Sequence, residues 1–506
     1  MKKPYFLIGL GCLLCHSVFG QTARRDSTRR MTRDTLQLDE VVVVAGRLPE
    51  RRADVPVPIT TISSIDIQRW NVQTSADVLQ QTGQVFVQKS QMGGGSPVLR
   101  GFEANRVLIV VDGVRMNNAI YRSGHLQNVI TLDPNVQNRV EVLYGAGSVM
   151  YGSDALGGVM HFQTKNAEFA QNGKFQASGG AFTRFSGANS EKSLHANVNL
   201  GWAKWASLTS VTASDFGDLR AGRRGNPFQS FEWQRNVYAA RLNNRDTALV
   251  NARPEVQIGS AYRQLDLLQK VAYRPNAYTT HTLNLQYSTS SDVPRYDRLS
   301  ETGANGRPSF AEWYYGPQKR LFATYSWQNT RKTTFYDDAR VIFSYQNIEE
   351  SRYSRRFGNN NLTARIESLA IYGLNADLLK KTGEKTALNY GAEWYFNDVR
   401  SVAHRENILT GQRSYATTRY PDGGSTMNLA GAYGRLKWQA TNRLLLIPAV
   451  RFSYVGLQAS TNDPLFRSFF TNVRQSNVAV NGQLGGVLNL ANNWRITSAV
   501  STGFRA

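Results

Sequence analysis

Cysteine is almost missing from this chain: Cys12 and Cys15 are its only two, and both lie in the apolar stretch near the N-terminus. The remainder therefore has no disulfide framework and no Cys-ligated metal. Histidine is scarce, at six residues in 506, and no HExxH or clustered carboxylate pair occurs. Gly145-Ala-Gly147 follows a strand-like run, but Met150 stands where a dinucleotide fingerprint or a nucleophile elbow requires glycine. These absences argue against an enzyme. Beyond the N-terminus no run approaches 18 apolar residues, which excludes a helical multi-span membrane protein. A membrane β-barrel stays open, because its strands alternate apolar and polar residues and escape hydropathy averages.

Apolar residues make up 41% of the chain and aromatics 11%, too much for a disordered polymer. Lys2 and Lys3 precede the apolar stretch Tyr5–Cys15, and small residues lead up to Gln21, so residues 1–20 read as a cleaved secretory signal. Lys+Arg exceed Asp+Glu by 59 to 37, a net +22. For an exported chain the Arg-rich stretch 21–37 is expected to be a solvated tail, with no nucleic acid as partner. Leu38-Asp39-Glu40-Val41-Val42-Val43-Val44 then forms a β-prone run between this tail and a proline cluster. Such a run suits addition as an edge strand to a partner's sheet, or an ordinary strand of the next domain.

Residues 59–165 read as a compact mixed segment, with a helix at Ser75–Thr82 and strands at Val107–Val111 and Val140–Tyr144. From Gly173 onward the period becomes two. In Leu194–Trp202 the even positions are apolar, and the odd ones carry His195, Asn197 and Asn199. Similar stripes recur near Leu283, Leu321 and Leu388, each about ten residues long. Short connections near 203, 275, 331, 382, 441 and 492 alternate with longer polar loops at 218–259, 291–316, 351–361, 398–426 and 456–473. This alternation describes an outer-membrane barrel better than a soluble β-sandwich. About thirteen strands are expected, and an odd count predicts a C-terminally incomplete barrel.

Pro97-Val-Leu-Arg100-Gly101-Phe102, Asn105–Val111 with Asp112-Gly113-Val-Arg115, and Val140-Glu141-Val-Leu-Tyr144-Gly145 with Tyr151-Gly152-Ser153-Asp154 resemble the plug domain of TonB-dependent outer-membrane receptors. The resemblance implies an all-β transmembrane barrel, with about 13 of an expected 22 strands present and a mixed α+β plug inside the lumen. It divides the chain into a flexible periplasmic extension 21–47, a plug 48–165 and a barrel portion 166–506. It also makes residues 38–44 a TonB box, which would pair with TonB and its inner-membrane energising complex. The implied setting is the outer membrane of a Gram-negative bacterium, where the wall meets outer-membrane lipid.

Phe504-Arg505-Ala506 resembles the start of the Phe-Arg-Ala-Pro box of the family's haem and haemoglobin receptors. That branch implies haem, or another iron chelate such as a siderophore, as transported ligand, no intrinsic cofactor, and a possible surface lipoprotein partner. His125, in a polar segment after the plug strand, and His404, in a long loop beside Tyr415 and Tyr420, are the candidate haem ligands. The segment 218–259 carries seven arginines against four acids among Phe228, Phe231, Trp233 and Tyr238, a composition suited to an anionic ligand. Ferric siderophore and cobalamin transport, and a non-transporting receptor or adhesin, are the alternatives.

Overall fold

The period-two stripes pair into a single antiparallel wall. In the computed structural model, which describes residues 41–42, 45–120, 128–222, 234–464, 471–491 and 494–505, thirteen strands follow one another in this sheet, from Gln176–Ser186 to Trp494–Ser501. The wall inverts the pattern of a soluble protein. Leu194, Val198, Leu283, Leu285, Phe343, Trp394 and Phe452 are exposed on its outer face. His195, Asn199, Thr212, Lys270 and Asn284, on the opposite stripe, are buried against the plug. Trp202, Trp205, Tyr278 and Trp438 lie exposed beside the short connections, where an aromatic girdle belongs. His281 joins them, with Nδ1 2.7 Å from the Tyr325 hydroxyl.

Expected strand lengths of about ten residues hold only at the start of the wall. Asp338–Arg356 spans 19 residues, Asn361–Lys381 spans 21 and Thr386–Asn407 spans 22. At about 3.3 Å per residue the longest covers roughly 70 Å, while a tilted crossing uses about ten residues. The excess carries the sheet past the crossing at the long-loop end, where strands Phe310–Tyr315 and Arg413–Tyr415 add to it. Stretches 351–361 and 398–407, expected as loop, are mostly strand; most of their buried positions, as at Ser351, Arg355 and Ser401, are polar, so no continuous apolar stripe marks them.

Ordered packing begins before the expected plug boundary at residue 48. Val41–Val42 pairs antiparallel with Glu50–Arg51, and Val42, Ala45, Arg47 and Leu48 are buried. Residues 45–47, assigned to a flexible extension, thus form part of the folded interior; residues 1–40, 43 and 44 fall outside the described residues. The central plug sheet runs Ile59–Ser63, Gln137–Tyr144, Gly158–Thr164, Val107–Val111, Val114–Arg115, and all five residues of Val107–Val111 are buried. Helix Ser75–Gln81 matches its expected position. Helix Ser64–Trp70 was not anticipated, although Ser63 and Asp66 close a capping box at its start. Gly158 permits close packing: a Cβ there would sit 2.3 Å from the Leu143 carbonyl oxygen.

Candidate functional site

The motif residues of the plug act on one another. Arg115 donates to Asp154 at 2.8 Å and to the carbonyls of Tyr151 and Ser153 at 2.6 and 2.9 Å. One guanidinium thus clasps the whole Tyr151–Asp154 turn, which explains why these separated motifs occur together. Gly152, with φ at +76°, fits beneath Arg451, and a Cβ there would lie 2.8 Å from that guanidinium. Glu141 is fully buried and ion-paired with Arg139 at 3.2 Å. Arg100 and Gly101, at φ +48° and +85°, form a tight turn, and Arg100 lies 5.2 Å over the Tyr144 ring. Gly145, also left-handed at φ +101°, donates its N–H to the Gly157 carbonyl at 3.1 Å.

Asp112 and Gly113 turn the buried strand back on itself with φ +48° and +89°. The Asp112 carboxylate accepts from the Thr164 N–H and hydroxyl at 2.8 and 2.6 Å, and from Asn284 and Gln286 of the wall at 3.0 and 3.2 Å. Burial alone would raise its pKa, but the Lys270 ammonium at 3.3 Å and the Thr164 bonds outweigh that and hold it below the usual carboxylate range. Next to it, the Gly113 N–H donates to His161 Nε2 at 3.1 Å, and burial pushes the His161 pKa down to about 3. This imidazole is neutral and structural.

A second constellation joins the first folded residues to the short-connection end of the wall. Arg47 is ion-paired with Asp377 at 3.3 Å and with Glu393, and its guanidinium lies 4.8 Å over Tyr151 and 5.3 Å over Tyr433. Burial would lower its pKa, but Glu393 and Asp377 outweigh this and hold it well above the ordinary value. Arg340 donates to the Arg47 carbonyl at 2.5 Å, and Arg451 pairs with Glu393 at 2.5 Å while donating to the Met150 carbonyl at 3.1 Å. Three residues on, Glu50 pairs with Arg435 at 3.0 Å and Lys437 at 3.5 Å, and Asp54 with Lys437 at 2.8 Å. Buried charges of this kind are tolerated only when each keeps partners. Apart from Tyr151, none of these groups was singled out from the sequence, because Arg47, Glu50 and Asp54 lie 330 to 385 residues from their partners on the wall.

The other end of the same strands carries a cavity of about 630 Å³. Arg352 and Arg356 reach it from strand Asp338–Arg356, Arg365 from the next strand, Arg405 from the one after, and Arg419 from the connection beyond, with Phe310 and Trp313 beside them. Arg365 is twelve residues from Asp377 and Arg405 twelve from Glu393, so about 40 Å of continuous strand separates the cavity from the charge cluster.

Of the predicted ligand residues, His125 lies outside the described residues, as do Phe228, Phe231 and Trp233. His404 pairs in register with Ala364 and Tyr415, on the face opposite Arg405, and does not line the cavity. Its Nε2 is 3.8 Å from Glu406. Within the arginine-rich stretch 218–259, Arg241 donates to Asp246 and Asn360. The hydroxyl of Tyr420 donates to the Ile120 carbonyl at 2.5 Å, tying that long connection to the plug. Of residues 38–44, expected as a TonB box, Val41 and Val42 are described: Val41 is half exposed, and its carbonyl accepts from Arg139 at 2.6 Å.

A wall with lipid-facing outer stripes, filled by a plug with these turns, defines a class of outer-membrane receptor. Residues 51–159 match the TonB-dependent receptor plug domain, and residues 269–506 match the TonB-dependent receptor-like β-barrel. The chain belongs to the TonB-dependent receptors, an outer-membrane family of transporters and receptors that work with TonB and are not enzymes. It is 25% identical over 401 residues to the vitamin B12 transporter BtuB of Vibrio vulnificus, a match covering 78% of this chain and 54% of that protein. The chain therefore spans about half the length of this curated relative. Its fold is similar to that of the copper transporter OprC, with TM-score 0.65, 14% identity, and 86% of this chain and 60% of that one covered. It is also similar to a double mutant of the Serratia marcescens haemophore receptor HasR in complex with HasA and heme, with TM-score 0.64, 15% identity, and 90% and 64% covered.

Proposed function

We propose that this chain forms the plug and leading wall of an active importer, carried to the outer membrane of a Gram-negative bacterium by a cleaved signal at 1–20. It binds a scarce nutrient at the cell surface and passes it to the periplasm with energy from the inner-membrane proton gradient. The observation that carries this reading is the link between Val41–Val42 and the buried Arg47 ion pairs, which tie that segment to the wall. TonB adds a strand to residues 38–44 and pulls. The hairpin with Glu50–Arg51 opens first, and the load then reaches Arg47. Withdrawal of Arg47 leaves Asp377 with Arg340 and Tyr433, and Glu393 with Arg451, so neither carboxylate is stranded. The wall holds its charge balance while the plug shifts.

For the nutrient, iron carried as haem, free or from haemoglobin with a surface lipoprotein's help, is the reading supported by Phe504-Arg505-Ala506 and by His125. His125 bears the weight of axial ligation in this reading, since His404 faces away from the arginine cavity. A ferric siderophore is the second reading, favoured by the cationic lining of that cavity. Titration of haem into outer-membrane vesicles, followed by the Soret band, tests the first: His125→Ala should remove the shifted band and His404→Ala should keep it. An unchanged band in His125→Ala contradicts it. Uptake that survives a protonophore would instead indicate a receptor or adhesin that does not transport.

A further inference from the structure

The arginine cavity has a composition unlike a pocket for an apolar ring. Among its described lining residues there is no acidic and no aliphatic side chain; the walls are arginine, asparagine, serine, threonine and two aromatics. A cluster of five like charges is costly unless counter-charges meet it. Within the protein that neutralisation is partial. Arg419 pairs with buried Glu367 at 3.0 Å, and its own Nε is buried without a hydrogen-bond partner. Arg365 spends Nε on the Thr417 carbonyl at 3.0 Å, and Arg356 lies 4.3 Å over the Phe310 ring. Among the described residues no carboxylate is paired with Arg356, Arg365 or Arg405.

The register brings these groups to one face. Arg352 stands opposite Arg365 across one strand pair, and Arg405 opposite Thr363 across the next, all on the lumen-facing stripe. Forked donors from three adjacent strands and a connecting loop converge on a space of about 630 Å³, within the range that holds a small ligand. Guanidinium forks match carboxylate and phosphate oxygens in pairs. The walls give a macrocycle little to pack against, and they repel a bare metal cation.

We infer that this cavity is a recognition site for a compact polyanion bearing several carboxylate or phosphate groups. It is the extracellular capture site of the importer proposed above under its second, anionic-chelate reading, and the inference rests on that reading. Arg365 and Arg405 supply the central forks, Arg352 and Arg356 close one side, Arg419 the other, and Trp313 gives a platform.

The test is equilibrium binding to outer-membrane vesicles from cells producing the full receptor. The probes are radiolabelled propane-1,2,3-tricarboxylate and pyrophosphate, with maltotriose as an uncharged ligand of similar bulk. Both anions should bind, more weakly as salt rises, and maltotriose should not. The pair Arg365→Gln with Arg405→Gln should weaken anion binding about tenfold for each guanidinium removed, and Arg→Lys at both positions should recover part of it. The tighter of the two anions identifies carboxylate or phosphate as the natural group. Absence of anion binding, equal binding of maltotriose, insensitivity of the wild type to salt, or full affinity in the Gln pair overturns the inference. The salt series needs no variant, so a folding defect in the Gln pair leaves the test intact. Gradient-dependent import indifferent to these arginines would sink the site and spare the importer; anion binding with no gradient-dependent import would do the reverse.

Discussion

Arg47→Ala should unlatch the segment that precedes it. The side chain makes two buried ion pairs and lies over two aromatic rings. Stripping a buried charge of its last partner costs about 3–5 kcal/mol, but here both carboxylates keep other donors. The loss is then closer to that of charge-assisted hydrogen bonds, about 1.5–3 kcal/mol. If that free energy holds the Val41–Val42 hairpin closed, its removal raises the open population about 10- to 150-fold. Val42 is fully buried, so a thiol placed there reports opening directly. In a Val42→Cys receptor with Cys12 and Cys15 replaced by serine, maleimide labelling should accelerate by that factor on adding Arg47→Ala, and Arg47→Lys should give a smaller change. Equal labelling rates with and without Arg47 would refute the argument, because the hairpin would then be held by packing alone.

Proline at Val42 or Val43 should abolish uptake and leave surface binding of ligand intact, since it removes a donor from the strand offered to TonB; normal uptake contradicts the box assignment. Gly152→Ala should loosen the plug by about 1–3 kcal/mol, because φ is +76° and the new methyl meets Arg451; an unaltered melting temperature of the detergent-purified receptor would count against it. His161 has its pKa lowered to about 3 from 6.5, so the unfolded chain binds the extra proton between those values. Its neutral burial contributes fully above pH 6.5, and up to about 5 kcal/mol is lost progressively as pH falls toward 3. His161→Gln should flatten the fall of melting temperature between pH 6.5 and 4, and an identical pH profile would show that the imidazole is not its source.

Much of this was legible in the chain. The wall was readable because lipid outside and a wet plug inside force the two faces of a strand apart, as at Leu194 and His195. Plug turns were readable because Gly113, Gly145 and Gly152 hold left-handed φ values that few other residues accept. Strand ends were not, since the buried positions there, Ser351, Arg355 and Ser401, are polar and leave no apolar stripe to read. The charge cluster was not legible either: Arg47 and Glu393 acquire meaning only through a contact 346 residues long. The arginine cavity escaped for the same reason, because its residues are single polar positions on successive strands. His404 was singled out by its loop setting, and its place on a strand opposite Ala364, outside the lining of the arginine cavity, could be known only from the register.

The most direct measurement is disulfide trapping in intact cells between single cysteines at positions 41, 42 and 43 and a cysteine series along the edge strand of TonB's periplasmic domain. Strand addition predicts crosslinks that alternate along the series with a period of two residues, and that increase when Arg47 is replaced by alanine. Absence of crosslinks, or crosslinks without that period, would contradict the account.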